Sequence, residues 1–437
     1  MIMNETASLY DNLLEEHDRL APVIGMTPAG PWANLRESAW KDFQALQFPT
    51  TKEEDWKYTN IIPFLQPHYH LAGRNGVQLK ATDILNLEIP DLEGWHIVLV
   101  NGVLHPELSR LPDPGEIQVC TLAEAADLPA FREHFGKYLD TTKYHFAALN
   151  TALAENGLFI EVKKNARIGA PVLITHLFTG SAPLIIQPRN LYILQPCSEV
   201  SLVENFVSLF LDEDILINAA TEMYLGEGST ADHYRIQDGS LHQITINHTQ
   251  VTQADSSLYN NHTYCINGRF IRNNTHVAID AEHAETHLYG LYLTSGDQLV
   301  DNHTFVDHRK PNSRSNEWYK GVLKDQSSGV FNGKIFVRPD AQKTNAFQEN
   351  NNILIGALAS INSKPELEIF ADDVKCSHGS TTGQLDEEAA FYLRTRGIGA
   401  ATANSLLIHA FAYDVTEKIR LEPLKHYIND LIDSKLS

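Results

Sequence analysis

From Leu158 onward, for more than 200 residues, short β-rich runs alternate with Asn, Asp, Gly and Ser turns, and no long helical period interrupts them. The runs include Leu158–Val162, Pro171–Leu177, Leu191–Ile193, Ser201–Phe210, Thr221–Leu225, Ile244–Val251 and His287–Leu293. The tract is too long for one sandwich with ordinary turn spacing, and its runs follow one another without helical crossovers. A weak recurrence points to a chain wound on itself. Asn247-His248-Thr249, Asn261-His262-Thr263 and Asn302-His303-Thr304 are near copies, and Asn274-Thr275-His276 is a scrambled one. A β-solenoid stacks like residues above like, so polar triplets recurring at strand starts are expected of it. Their uneven spacing predicts loops that differ from coil to coil.

The flanks read differently. Leu9, Leu13 and Leu14 fall at helical spacing, and Trp32 to Leu46 repeats the pattern. A strand is expected over Ile97 to Val103, ending at Asn101-Gly102 or just beyond. Helical pieces follow at Leu122 to Leu139 and Tyr144 to Ala154, the second closed by Asn156-Gly157. Near the other end, Asp386, Glu387 and Glu388 open a helix at the positive end of its dipole. Arg394 and Arg396 lie in its last turn, with Gly397 as the cap. A second helix carries Ala400, Ala403, Leu407 and Ala410 on one face, and Glu422-Pro423 divides the tail. The organisation read from sequence is an N-terminal, mainly helical domain (1–156), a β core (157–384) and a C-terminal helical domain (385–437).

Chemistry concentrates just before that tail. Leu367, Ile369 and Ala371 alternate with Glu366, Glu368 and Phe370 as in a half-buried strand, which Asp372-Asp373 break. Cys376 and His378 follow, two apart; on an extended backbone they face the same side. A soft thiolate and an imidazole suit iron or a nascent cluster. Two ligands cannot close a four-coordinate site, so a partner has to supply the rest. The plainer alternative makes Cys376 a small buried hydrophobe and His378 a turn residue. His248, His262, His276 and His303 are candidates for a metal-binding ladder, although such residues more often bond backbone groups or face solvent. Trp56 and Tyr58 read as core anchors, and Cys120, Cys197 and Cys265 as structural. No Gly-x-x-x-x-Gly-Lys-[Ser/Thr] loop is present, and Gly226-Glu227-Gly228 is too short to cradle phosphate, so any ATP chemistry belongs to a partner.

Composition narrows the classes. The 437 residues hold 34 Lys and Arg against 55 Asp and Glu, a net charge of −21, which argues against wrapping nucleic acid or an anionic membrane. The four cysteines are scattered, as in a reducing cytoplasm rather than a disulfide framework. Met1 to Leu20 lacks the pattern of a signal peptide, and runs such as His96 to Val103 are too short to span a bilayer. A second class of reading is a β-solenoid carbohydrate-active enzyme, with Asp301, Asp307 and Arg309 lining a groove for acid–base attack on a uronide. The missing export signal and the acidic surface weigh against it.

Three blocks carry a resemblance that covers most of the chain. They are Glu54-Asp55-Trp56-Lys57-Tyr58-Thr59-Asn60; Phe146-Ala147-Ala148-Leu149-Asn150-Thr151-Ala152 with Gly157; and, most specific, Asp373-Val374-Lys375-Cys376-Ser377-His378-Gly379 with Gln384-Leu385-Asp386-Glu387 and Phe391-Tyr392-Leu393-Arg394-x-Arg396-Gly397-Ile398. With these the chain resembles the SufB/SufD family of iron–sulfur cluster assembly proteins, on its SufD side. SufB-like chains carry Glu-His-Glu-Ala in the last block and a cysteine where this chain has Asn350, so the family's principal scaffold thiol is missing here. The resemblance implies a right-handed parallel β-helix core flanked by helical domains, and a noncatalytic subunit. It implies pairing with SufB through the cores and docking of the SufC ATPase on the C-terminal helices, for which Arg394, Arg396, Leu407 and Phe411 are the candidate contacts. Cys376 and His378 would then share transient iron or a nascent cluster with SufB, the chain alone binding no cofactor. Self-pairing of isolated cores is a further expectation, since a solenoid exposes long edges.

Overall fold

Strands that follow one another in sequence fall alternately into two sheets. Ile215–Leu225, Gln243–Gln253, Phe270–Ile279, Leu299–His308, Ser328–Val337 and Ser360–Ile369 lie parallel and side by side in one. Glu199–Leu211, Thr230–Asp238, Leu258–Asn267, Glu285–Thr294, Arg314–Lys324, Asn345–Ile355 and Lys375–Gly383 do so in the other. Each coil thus contributes one strand to either wall. The structure is a computed structural model and describes residues 9–18, 32–72, 79, 83–84 and 87–436; the segment Met1 to Leu20, read above for a leader, lies partly outside them. Strand (43%) outweighs helix (24%), and the core is a β-solenoid of about 8 turns with helices at both ends, as expected.

The register explains the recurring triplets and corrects one of them. Asn247, Asn273 and Asn302 are neighbours across coils, and each amide donates to the next, at 3.0 and 3.1 Å. Thr249, Thr275 and Thr304 form the adjoining inner column. The in-register copy is therefore Asn273-Asn274-Thr275, with His276 beside Gln250 and Phe305, not beside the other triplet histidines. Asn261-His262-Thr263 lies in the opposite wall, so it stacks on none of the others. Coil length varies, from Ile244 beside Phe270 to Ser328 beside Ser360, and loops absorb the difference.

Between the walls, aliphatic and aromatic side chains such as Ile271, Val277, Tyr292 and Phe331 form one continuous core. A charged cluster sits inside it. Glu204, fully buried, pairs with Arg235 at 2.7 Å and His233 at 2.9 Å, and accepts from Tyr192 Oη at 2.9 Å. Burial pushes its carboxyl up, but Arg235, His176 and His233 outweigh that and hold it well below the usual range.

The two ends of the solenoid are closed unequally. At the first coils, Ile117–Thr121 runs antiparallel to Leu158–Val162, and Val103–Leu104 folds back on Trp95–Val100 after a left-handed turn at Asn101 and Gly102. At the other end, Ser360–Ile369 and Lys375–Gly383 are the outermost strands of their sheets, and neither contains a buried residue.

Helices cover the outer faces. Ala33–Leu46 and His145–Leu153 pack through Phe43, Phe146 and Leu149 against Leu216, Ile246 and Phe270 of the larger sheet. Ala400–Thr416 and Glu422–Leu436 pack on the smaller sheet, where Leu424, Ile428 and Ile432 meet Tyr264, Leu293 and Val322. Each such buried Leu or Ile contributes about 1.5–3 kcal/mol.

Three local readings change. The helix expected over Leu122 to Leu139 is two pieces, Leu122–Ala125 and Pro129–His134, because Pro129 has no N–H to continue a helix and starts the second instead. Gly157 is needed not as a left-handed cap but for close approach: a Cβ there would lie 1.6 Å from Arg189 O. The buried stripe of Ala400–Thr416 is Ala403, Ala412, Val415 and Thr416, whereas Ala400 and Ala410 are exposed.

Candidate functional site

The last coil holds Cys376 and His378 on one strand, Lys375–Gly383. In the ladder Cys376 stands beside Ala346, His378 beside Gln348 and Ser380 beside Asn350. Ala346, Gln348 and Asn350 are all buried inside the solenoid, while the intervening Phe347 is exposed. Side chains alternate along a strand, so Cys376 and His378 belong to the inner face, together. Cys376 is half-buried against Ala346, Ala371 and Val374. Burial pushes its thiol up, only partly offset by the backbone of Ala346, so the free side chain is a thiol rather than a thiolate at neutral pH. His378 is exposed. Among the described residues no three His, Cys, Asp or Glu side chains converge to hold a metal ion, so these two donors do not form a closed shell.

Asn350 has a different job from a thiol. It is fully buried; Nδ2 donates to Tyr292 Oη (3.1 Å) and to the Tyr319 carbonyl (3.2 Å). Its Oδ1 accepts from Ser363 Oγ at 2.8 Å, and Ser380 Oγ donates to Ser363 Oγ at 2.8 Å. The chain of hydrogen bonds ties the last strand of each wall to the coil beneath. One position along, Gln348 Nε2 donates to Glu317 Oε2 at 2.6 Å. Burial pushes the Glu317 carboxyl up to about 7, against the opposing pull of Gln348 and Thr304.

Sequence reasoning missed a second polar region, where the Glu54–Asn60 segment meets the outer face of the larger sheet. Thr59 Oγ1 donates to Asp301 Oδ2 at 2.6 Å, Arg272 Nη1 donates to the same oxygen at 2.5 Å, and His303 Nε2 lies 2.9 Å from Asp301 Oδ1. Arg272 also stacks 3.8 Å over the ring of Trp56. Burial alone would raise the Asp301 carboxyl, but Arg272, His303 and Thr59 bring it down to about 2. Beside this clasp is an open cavity of about 640 Å³. Trp56 is a core anchor as expected; Tyr58 is not, being 41% exposed. The Trp-x-x-Thr spacing was visible in sequence, but its partners lie more than 200 residues away.

The C-terminal candidates separate. Arg394 and Arg396 are exposed, at the end of the helix Glu387–Thr395, which buries no residue. Asp386 caps that helix, and Gly397 follows it at φ +89°, as expected. Leu407 and Phe411 are half-buried; Lys320 covers the Phe411 ring at 4.2 Å, donates to its carbonyl and pairs with Asp414 at 2.6 Å. The large exposed apolar side chains nearby are Phe391 and Tyr392 on the helix Glu387–Thr395 and Leu406 on the next, none of which the sequence reading named as a contact.

The residues of the carbohydrate reading are spoken for. Asp301 is buried in the clasp, and Asp307, also buried, pairs with Arg309 and Arg338, both at 2.8 Å. Neither carboxylate faces an open groove as a free acid or base. Of the cysteines, Cys265 is buried, Cys120 intermediate and Cys197 exposed, so a structural role fits the first better than the last.

Residues 176–411 match the family model for the SUF system FeS cluster assembly SufBD core domain, and residues 7–174 match that for the SufBD protein N-terminal region. The chain is 31% identical over 398 residues to the iron–sulfur cluster assembly protein SufD of Escherichia coli (strain K12), covering 89% of each chain. It is 28% identical over 413 residues to an iron–sulfur cluster assembly SufBD family protein of Synechocystis, covering 92% of this chain and 90% of that one. With SufD of Bacillus subtilis (strain 168) the identity is 24% over 414 residues, 92% and 93% of the two chains.

Proposed function

The chain belongs to the SufBD family of SUF-system iron–sulfur cluster assembly proteins, and from that premise we propose that it is a SufD-like, noncatalytic scaffold subunit. Its last coil pairs with a SufB-type subunit, and its C-terminal helices dock a SufC-type ATPase that supplies the energy. Iron and sulfide are cargo here, assembled at the junction and passed on.

The observation that carries this reading is the uncovered last coil. Solenoids are ordinarily finished by a capping element, yet Ser360–Ile369 and Lys375–Gly383 bury no residue and leave their outer edges unpaired among the described residues. The half-buried Cys376 and the exposed His378 stand on that open face. A partner strand added there covers the edge and completes the metal shell. It also explains why Cys376 needs no lowered pKa in the free chain, since metal binding itself displaces the thiol proton. In isolation the same edge accepts a second copy of the chain. For the ATPase, the helix Glu387–Thr395 offers Phe391 and Tyr392 with Arg394 and Arg396, and the next helix adds the half-buried Leu407 and Phe411. The absence of any disulfide among the four cysteines suits a reducing, cytoplasmic setting. No described helix is long and apolar enough to cross a membrane.

The test is reconstitution with a SufB-type subunit and a SufC-type ATPase, comparing wild type with His378→Ala. Assembly of the complex with reduced cluster absorbance and iron content is the expected result. Unchanged iron loading removes His378 from the site, and failure to co-purify the ATPase at moderate salt removes the docking assignment.

A further inference from the structure

The cavity between the Glu54–Asn60 segment and the solenoid lies on the outer face of the larger sheet, on the side of the wall away from Cys376 and His378. Its lining includes His248, His276 and His303. Outward-facing positions of three successive strands bring them there: His248 and His303 stand on either side of Asn274 in the ladder, and His276 is two residues further along. The His248 and His276 rings meet edge to face at 4.7 Å.

Two features distinguish these imidazoles from satisfied core histidines. His248 is 4% exposed, and its Nε2 has no hydrogen-bond partner, an expense a structural histidine avoids. His303 has Asp301 Oδ1 2.9 Å from Nε2. A carboxylate placed beside one ring nitrogen is a recurrent support of metal-bound histidines. We propose that this cavity is a second, exchangeable binding site for a divalent first-row transition-metal ion, held by His303 and His276 with His248 alongside.

No three donor side chains among the described residues already share a point in space, so water completes the shell and binding is weak and reversible. The cations that line the cavity are each paired with a carboxylate: Lys364 with Glu54 and Glu366, Lys334 with Glu368, Lys143 with Asp140 and Arg272 with Asp301. The proposal stands whether or not the last coil is a subunit junction.

The experiment titrates the full chain with Co²⁺ alone, in the Cys376→Ser/His378→Ala background, followed by visible absorption and calorimetry. One equivalent with nitrogen–oxygen ligation is expected, weakened at least tenfold by adding His276→Gln and His303→Gln. No binding in that background, or binding indifferent to the two glutamines, overturns the proposal. Should those variants unfold, wild-type chain with and without Co²⁺ is treated with diethyl pyrocarbonate and mapped by mass spectrometry. Protection at His276 and His303 supports the site; protection confined to other histidines overturns it.

Discussion

His378 stands directly beside Gln348 in the parallel ladder, yet Gln348 is 3% exposed and His378 is open to solvent. Both are inner-face positions of the same wall. The difference is that a further coil covers Gln348 and none covers His378.

It follows that the two positions respond oppositely to truncation. Gln348→Ala strips the buried Glu317 carboxyl of its donor and costs about 1–3 kcal/mol. His378→Ala changes stability by less than about 0.5 kcal/mol while lowering iron loading in the reconstituted assembly. Urea unfolding of the isolated chain measures the first contrast; comparable losses for both contradict the open-coil account.

Glu317 makes stability fall as pH rises. Its folded pKa of about 7 lies above the ordinary carboxyl value of 4.5, so the folded state binds more protons than the unfolded one between those limits. Its penalty is absent below about pH 4.5, grows toward pH 7 and is constant above. Glu317→Gln is expected to stabilise the chain at pH 8, by up to about 3 kcal/mol, and to do little at pH 5. Unfolding midpoints at the two pH values decide it, and a gain that is equal at both rules out this origin.

Breaking the clasp leaves a buried guanidinium. Asp301→Ala should cost about 3–5 kcal/mol, and Arg272→Met in the same chain should recover much of the loss, because the uncompensated charge is then gone. The coupling energy from a double-mutant cycle is the measurement. Trp56 fluorescence reports whether the Glu54–Asn60 segment has come away. The Asp301 contribution is present above pH 3.8 and lost only as pH falls through its folded value of about 2.

Lys320 pins the C-terminal helix pair to the solenoid through Phe411 and Asp414. Lys320→Met removes the ion pair but keeps the stem packed, so the helix Ala400–Thr416 should open more often without global loss. Amide exchange faster in residues 408–416, with unchanged rates in Phe270–Ile279, is the expected pattern. Equal acceleration everywhere argues that the lysine supports the core instead.

Much of this architecture was written in local pattern. Short β runs without crossovers named the solenoid, and the same-side placement of Cys376 and His378 followed from strand alternation alone. Caps at Asp386 and Gly397 were equally local. Alignment of the triplets was not: which histidine stacks on which depends on coil length, and loops of unequal size moved His276 out of column and put His262 in the opposite wall. The Arg272–Asp301–Thr59 clasp joins three distant segments, so no window of sequence contains it.

The sequence by itself determined the kind of repeat, the helical ends and the pair of soft donors, because strand and helix periods and capping are properties of neighbouring residues. Only the tertiary structure decided that the donors sit on an unfinished coil, that Asn350 is a buried hydrogen-bond hub, and that three imidazoles share a cavity. Exposure and charge pairing depend on what the chain brings alongside from hundreds of residues away.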